Sequence, residues 1–292
     1  MSKIRFLIPS GMRLILLLLT FVVGAVATGL LSGVLMDAGG IDRKVAMLRI
    51  ATIAQDLLMM VVPALVTALI CTRQPVRLMA IAKAPDVRMT VSAIMVMLVS
   101  SPLMSWIIDW NASMHLPESM SALEASIRSM EDSAAGAVDM ILGPHDIPNL
   151  IVSILIVGVL AGFSEEIFFR GALQRLLASA RIGNIASIWT AAFIFSAIHM
   201  QFFGFVPRLL LGAYFGYLLM WSGSLWLPVL AHTVNNSLYI ILKYTTGSGD
   251  IEPASAAGSA AVIAISAILT AAGLWILWKN RVRPDTETCT QS

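Results

Sequence analysis

The amino-acid sequence predicts an all-α, polytopic integral membrane protein with about eight transmembrane helices and both termini in the cytoplasm. Of its 292 residues, 58% are hydrophobic and 12% are charged, whereas a soluble domain carries about 25% charged residues. Long uncharged runs match the roughly 20 residues that cross a bilayer as a helix. Basic residues gather in alternate connections between these runs. Together these observations exclude an ordinary soluble enzyme, a disordered protein and a disulfide-based scaffold.

Net charge and cysteine content exclude further classes. Nineteen Lys and Arg residues against seventeen Asp and Glu give a formal net charge of +2, which is too balanced for a nucleic-acid-binding protein. Cys71 and Cys289 are too few for a disulfide framework or a zinc site made of cysteines. The last four residues superficially fit a prenylation box, but Thr290 and Gln291 are not aliphatic. We therefore expect an ordinary polar tail.

Three apolar runs predict the spans of the N-terminal part. Residues 25–27, within the first run, resemble a signal-peptidase site, but the apolar run continues past them, so we expect an uncleaved span. The predicted spans are 14–36, 50–72 and 89–108, followed by a polar stretch at 109–146 with a short surface helix at 119–133.

Five further spans are predicted in the remaining sequence. The segment 209–242 contains no Asp, Glu, Lys or Arg and is too long for one span, so we divide it at the polar residues 222–224. The predicted spans are 147–178, 184–203, 207–221, 225–242 and 254–278. We expect one membrane domain with three parts: 1–146, a central core at 147–243, and 244–292 with the final span and a basic tail.

The charges of the connections support an even number of spans. With eight spans, four basic segments fall on one side, which the positive-inside rule makes cytoplasmic. The acidic 109–146 stretch and the loop of Asp250 and Glu252 then fall outside. The four basic segments are the N-terminus, the connection with Arg73, Arg77, Lys83 and Arg88, the junction with Arg175 and Arg181, and the tail with Lys279, Arg281 and Arg283.

Adjacent carboxylates in the fourth predicted span are the first candidate site. Ionisable residues at membrane depth cost at least ~2.5–3.5 kcal/mol each and tend to mark functional cavities. Glu166 and Arg170 are four residues apart and can pair on one helix face. Glu165 lies about 100° around the helix, without a cation on its own helix, and could transfer protons from a polar pocket. The alternative is that both glutamates reach the cytoplasmic interface at a helix end.

Two histidines in predicted spans extend this candidate site. Phe195 and His199 share one face of the fifth predicted span, and His232 and Asn236 share one face of the seventh. A histidine in a span can also be a hydrogen-bonded packing residue. Asp56, in the second span, could belong to a proton relay, but we expect it to pair near the outer interface. The other two histidines, His115 and His145, lie in the polar stretch, and the glycine pairs Gly158/Gly162 and Gly212/Gly216 indicate close helix packing.

These motifs, in this order on successive apolar helices, resemble those of the CPBP (Abi) family of intramembrane proteases. The family comprises type II CAAX prenyl endopeptidases, bacteriocin-processing and immunity proteins, and lysostaphin-resistance-like proteins. The resemblance covers about 147–243 and implies that Glu165 is the general base and that His199 orients and activates the water. It also implies the remaining roles: His232 and Asn236 stabilise the oxyanion, and Glu166, Arg170 and Phe195 support the motif helices.

The cofactor prediction rests on ligand spacing and on the same resemblance. Glu165, His199 and His232 could form a three-ligand zinc site with an open position. However, the His-Glu-x-x-His spacing that places two zinc ligands on one helix is absent. The resemblance to the CAAX endopeptidases implies a metal-independent glutamate mechanism. We therefore expect no obligatory metal, with zinc at those three residues as the alternative.

The predicted function is hydrolysis of a peptide bond in a membrane-associated protein or peptide, in the plasma membrane of a prokaryotic cell. Partners are that substrate and the lipid bilayer, with no nucleic acid. This requires Glu165 and His199 to reach one water, hence to lie within ~10 Å of each other, although the topology places His199 nearer the outer face. One alternative is a non-catalytic adaptor or bacteriocin-immunity protein on the same fold. Another is a proton-coupled transporter that uses Glu165, Glu166 and Asp56.

Overall fold

The computed structural model describes residues 4–39, 43–246 and 258–282. These residues are helical apart from turns, loops and one isolated bridge between Phe6 and Thr72. The main helices are α1 (Ser10–Gly39), α2 (Lys44–Cys71), α3 (Val87–Ala112), α4 (Ser121–Leu142), α5 (Ile147–Ile182), α6 (Asn184–Ala197), α7 (Phe205–Ser222), α8 (Trp226–Thr246) and α9 (Ala260–Lys279). The Asp250/Glu252 loop, the predicted start of the last span at 254, and the tail with Arg283 and Cys289 lie outside the described residues.

The prediction of an all-α polytopic membrane protein is confirmed. Five of the described helices, α1, α2, α3, α5 and α9, are long and apolar enough to cross a membrane. On α1, large apolar side chains such as Val23 and Leu30 are more than two-thirds exposed, which suits a lipid environment. Helices α7 and α8 have 18 and 21 residues and carry polar side chains, and α6 has 14 residues. The count of eight spans and the cytoplasmic termini stay predictions.

Several helix boundaries differ from those expected. The surface helix α4 extends to Leu142 because its amphipathic pattern continues to Gly143, whose positive φ ends it. Helix α6 ends at Ala197, before the predicted limit of 203, because the chain turns at Met200 with a φ of 53°. Helix α5 has 36 residues, roughly 54 Å at ~1.5 Å per residue. That length exceeds a hydrocarbon core of about 30 Å.

Helix packing places the middle of α5 at the centre of the described fold. Helix α1 packs along α2, α9 along α3, α6 along α7, and α8 along α5. The largest buried apolar cluster joins α1, α2, α5 and α6, with Phe168 and Phe169 of α5 inside it. The two glutamates that precede these rings are therefore held among several helices.

Candidate active site

Glu165 and Glu166 lie on a short α-helical segment of α5 between two wider, π-helical segments. The α-helical segment is Ala161–Glu166, and the flanking π-helical segments are Ile154–Leu160 and Ile167–Gln174. A π-helical turn inserts an extra residue and rotates the side chains that follow, and such turns are frequent at functional sites. The π-helical segments therefore influence which neighbouring helices the side chains of Glu165 and Glu166 face.

Glu166 and Arg170 form a fully buried ion pair inside α5. Arg170 Nη1 donates to Glu166 Oε1 at 2.9 Å, and the two side chains are 1% and 0% exposed. Arg170 Nη2 donates to the backbone carbonyl of Gly212 on α7 at 2.8 Å. The pair expected from the spacing of four residues is therefore present, and it also ties α5 to α7.

His232 of α8 lies between the two glutamates. Its Nδ1 is 2.8 Å from Glu166 Oε1, and its Nε2 is 3.6 Å from Glu165 Oε2. An ionised carboxylate only accepts hydrogen bonds, so the Nδ1 atom carries a proton. The ring stacks on Phe215 with 4.7 Å between centroids. His232 is buried, whereas the Glu165 side chain keeps 18% exposure, so Glu165 is the carboxylate that an incoming molecule can reach.

His199 joins the same cluster from the turn that follows α6. Its Nδ1 lies 2.7 Å from the carbonyl oxygen of Phe195, and because that oxygen can only accept, Nδ1 is the donor. The neutral ring therefore presents a lone pair at Nε2. His199 interacts electrostatically with Glu165 and with His232. Both His199 and His232 contact the Phe195 ring, so the structure brings His199 to the cluster despite the difference in depth that the predicted topology implied.

Phe195 connects the charged and imidazole side chains of the cluster. Its ring contacts His199 and His232 edge-on, at centroid distances of 5.1 and 6.0 Å. The Arg170 guanidinium carbon lies 4.8 Å from the centre of the same ring. Phe195 is 2% exposed, so it forms a buried apolar surface against which Arg170 and both histidines pack.

Asn236 lies one turn after His232 and is engaged elsewhere. Its Nδ2 donates to the carbonyl of Val157 in the first π-helical segment of α5 at 3.1 Å, and its Oδ1 accepts from Asn235 at 3.2 Å. These bonds tie α8 to α5. Val157 thus uses one of the two Nδ2 protons of Asn236.

Asp56 differs from the expectation that it pairs near the outer interface. It is 6% exposed, interacts with the Ser164 hydroxyl and the Glu165 charge, and its Oδ2 has no hydrogen-bond partner in the described structure. It begins a π-helical segment, Asp56–Val61, just before Pro63. Proline disturbs the preceding turn because it lacks an N–H and its ring crowds the carbonyl four residues earlier. This irregular turn faces the Glu165 segment of α5.

Sequence reasoning missed Arg208 on α7. Arg208 interacts electrostatically with Glu165, and His199 in turn with Arg208. It is the single charged residue of the predicted span 207–221, and a charge at membrane depth is itself a signal of function. That signal could have identified it before the structure.

Glycines allow the site helices to approach each other closely, as expected for the two small-residue pairs. A Cβ atom on Gly162 would lie 3.1 Å from the Thr233 backbone nitrogen, and one on Gly158 would lie 2.6 Å from Ser237 Oγ. On α7, a Cβ on Gly212 would lie 3.1 Å from the Phe195 ring. The first pair brings α8, with His232, onto α5.

The possible zinc ligands do not assemble into a metal site. Across residues 4–39, 43–246 and 258–282, no group of three or more His, Cys, Asp or Glu side chains is arranged to hold a metal ion. Glu165, His199 and His232 lie in one cluster, and each imidazole donates through Nδ1 to a protein oxygen, which leaves the Nε2 side of both rings outside those two bonds.

Comparison with known proteins locates a family domain in this part of the chain. Uncharacterized protein YpbD of Bacillus subtilis (strain 168) is 29% identical over 103 residues, which are 34% of this chain and 48% of that protein. The chain thus spans about half the length of this curated relative. No solved structure matches the chain. Residues 147–238 match the family model described as type II CAAX prenyl endopeptidase Rce1-like. The predicted resemblance is therefore confirmed, and residues 147–238 form an Rce1-like domain consistent with the CPBP family.

Proposed function

We propose that this protein is an intramembrane endopeptidase that hydrolyses a peptide bond of a membrane-associated protein or peptide. The observation that carries the proposal is the position of His232 between Glu165 and the buried Glu166, with nitrogen–oxygen distances of 3.6 and 2.8 Å. Amide hydrolysis needs a base that takes a proton from water and a hydrogen-bond donor that stabilises the oxyanion. The accessible Glu165 carboxylate can serve as the base, and the neighbouring His232 imidazole can serve as the donor. The Rce1-like family match at 147–238 supports the same activity.

In the proposed reaction, Glu165 takes a proton from a water molecule as the water oxygen attacks the peptide carbonyl carbon. His199 accepts a hydrogen bond from this water through the lone pair of Nε2, which the Nδ1 bond to Phe195 leaves available. The C–N bond then breaks, and the proton on Glu165 passes to the leaving nitrogen. The products are a carboxylic acid and an amine, so atoms and protons balance.

His232 and Asn236 would stabilise the oxyanion of the tetrahedral intermediate. Because His232 Nδ1 already donates to Glu166, its Nε2 carries a hydrogen only when the ring is an imidazolium. This role therefore requires His232 to donate through Nε2 to the oxyanion while Nδ1 donates to Glu166. Asn236 would contribute the Nδ2 proton that Val157 does not use.

We further propose that the activity requires no metal ion and that the protein resides in a prokaryotic plasma membrane. The absent His-Glu-x-x-His spacing and the resemblance to the CAAX endopeptidases support the first statement. The apolar helices and the relative in Bacillus subtilis support the second. The substrate would be a signal-like, bacteriocin-like or membrane-protein segment.

The test is a comparison of membrane proteomes from cells that express the wild type, Glu165→Gln or Glu118→Gln. Glu118 is an exposed glutamate on the turn before α4, so its variant controls for loss of a carboxylate. We expect at least one precursor to accumulate with Glu165→Gln and none with the control. An unchanged proteome together with full retention of the cellular phenotype would refute catalysis and favour the adaptor function.

A further inference from the structure

Arg208 is a partly buried cation with unused hydrogen-bond donors. Its Nη2 donates to the side-chain oxygen of Gln201. Its Nη1 is buried and has no hydrogen-bond partner within the described ranges. A buried polar atom without a partner is uncommon in proteins and calls for a physical explanation.

Comparison with the other buried or partly buried arginines separates Arg208 from structural cations. Arg170 donates from both terminal nitrogens, to Glu166 and to the Gly212 carbonyl. In Arg13 and Arg175, the atom without a partner is Nε, which has a single N–H. Among the arginines of the described segments, only Arg208 has a buried terminal nitrogen, with two N–H groups, that lacks an acceptor.

The surroundings of Arg208 balance its charge but leave these donors unused. Glu165 and Glu131 interact with it electrostatically, yet neither accepts a hydrogen bond from Nη1. Gly204 leaves space beside the guanidinium, because a Cβ atom there would lie 3.4 Å from Nη2 and 3.7 Å from Nη1. The nearby carboxylates and the space at Gly204 accommodate the Arg208 guanidinium, although its Nη1 atom has no hydrogen-bond acceptor within the described ranges.

The loop around Arg208 is the one that carries His199. Glu131 of α4 accepts a hydrogen bond from the Phe203 backbone N–H at 3.0 Å, and the Arg128 guanidinium lies 3.7 Å from the centre of the Phe203 ring. Helix α4 thus holds the 198–204 loop against the end of α7. This arrangement fixes Arg208 next to the proposed base and the water-orienting histidine.

We propose that Arg208 binds a carboxylate of the substrate close to the bond that is cleaved. A guanidinium donates two parallel hydrogen bonds to a carboxylate, a geometry that lysine cannot reproduce. The substrate class would then be peptides with an anionic group near the scissile bond, either a C-terminal carboxylate or an Asp or Glu side chain. This inference rests on the proposed function, because it places the peptide at Glu165.

Binding and cleavage of matched peptides test this proposal. Full-length protein is reconstituted in phosphatidylethanolamine–phosphatidylglycerol liposomes. It is mixed with palmitoylated, fluorescent peptide pools of random sequence in three forms: a free C-terminal carboxylate, a C-terminal amide without acidic residues, and a C-terminal amide with one Asp or Glu. Binding is read by fluorescence anisotropy and cleavage by mass spectrometry. The variants are Arg208→Gln, Arg208→Lys and, as matched control, Arg88→Gln, which alters an exposed arginine.

We expect the wild type to bind one of the acidic pools at least about tenfold more tightly than the neutral amide pool, as for a charge-assisted hydrogen bond. The preferred pool identifies the source of the carboxylate. Arg208→Gln should lose the preference, Arg208→Lys should retain part of it, and Arg88→Gln should keep it. Absence of a preference in the wild type, which needs no variant to fold, would overturn the proposal, as would an equal loss for all pools in Arg208→Gln. An Arg208-dependent preference without cleavage would count against the proposed function alone.

Discussion

His232 and Arg170 share one oxygen atom of Glu166. Oε1 lies 2.8 Å from His232 Nδ1 and 2.9 Å from Arg170 Nη1, so Glu166 contacts α8 as well as its own helix. Arg170 also donates to Gly212 of α7, and the hydrogen-bonded group therefore joins three helices. A carboxylate that receives both donors fixes the imidazole orientation, as a supporting residue does in other catalytic sites.

Removing the charge of Glu166 should therefore destabilise the fold strongly. Glu166→Leu leaves Arg170 buried at 1% exposure without its counter-ion, and breaking such a pair costs about 3–5 kcal/mol. The double variant Glu166→Leu/Arg170→Met should recover part of this loss because no uncompensated charge remains. The free energy of unfolding in detergent micelles, with Glu118→Gln as control, measures both effects. Equal destabilisation by the single and double variants would contradict the ion-pair explanation.

Asp56→Asn should stabilise the protein. Asp56 is buried, its Oδ2 has no acceptor or donor partner in the described structure, and it interacts with the like charge of Glu165. The amide of asparagine removes the repulsion from Glu165 and adds N–H donors. We therefore expect the free energy of unfolding to rise by about 1 kcal/mol, as is common when a functional site is relieved of strain. Thermal unfolding in micelles measures it, with Asp132→Asn as an exposed control. A loss of stability would show that Asp56 has a structural partner.

Which parts of the site could be predicted depends on whether the contacts are local. The Glu166–Arg170 pair follows from a spacing of four residues on one helix, and the motif order assigns His199 and His232 to the same candidate site. The proximity of Asp56 and Arg208 to Glu165 depends on how α2 and α7 pack around α5. The π-helical segments rotate the side chains that follow them around the helix axis, and a sequence pattern of 3.6 residues per turn does not predict this rotation. Asn236 bonds to a carbonyl of such a segment, so its contact could not be anticipated either.

Metal chelation should leave hydrolysis unchanged. The proposed steps use only the side chains of Glu165, His199, His232 and Asn236, so removal of a metal ion should not affect them. Incubation with a strong chelator, followed by elemental analysis and an assay on the precursor found by proteomics, measures this. Stoichiometric zinc in the active protein, with activity lost on its removal and restored by zinc alone, would overturn the prediction.

Acid should loosen the start of α4 through Glu124. Hydrogen bonds from the Leu116 N–H, His115 and Arg128 lower the pKa of Glu124 from 4.5 to about 2. A lowered pKa stabilises the folded turn above pH 4.5, and this contribution is lost as the pH falls from 4.5 toward about 2. A spin label at the exposed residue Ser119 should therefore become more mobile over that range. In Glu124→Gln it should be mobile at every pH, and a pH-independent wild type would refute the assignment.

Gly162→Ala should reduce hydrolysis while Gly29→Ala does not. The added Cβ at Gly162 would lie 3.1 Å from the Thr233 nitrogen and 3.4 Å from its Cα, whereas at Gly29 of α1 it meets no atom within 4 Å. Backbone atoms cannot rotate away, so α8 must shift from α5 and carry His232, the neighbour of Thr233, away from Glu165. A misplacement of ~1 Å in a catalytic site can lower the rate about a hundredfold, and overpacking costs about 1–3 kcal/mol. Cleavage rate and unfolding free energy, measured for both variants, test this. Equal behaviour of the two alanine variants would show that the close approach of α8 to α5 does not control the site.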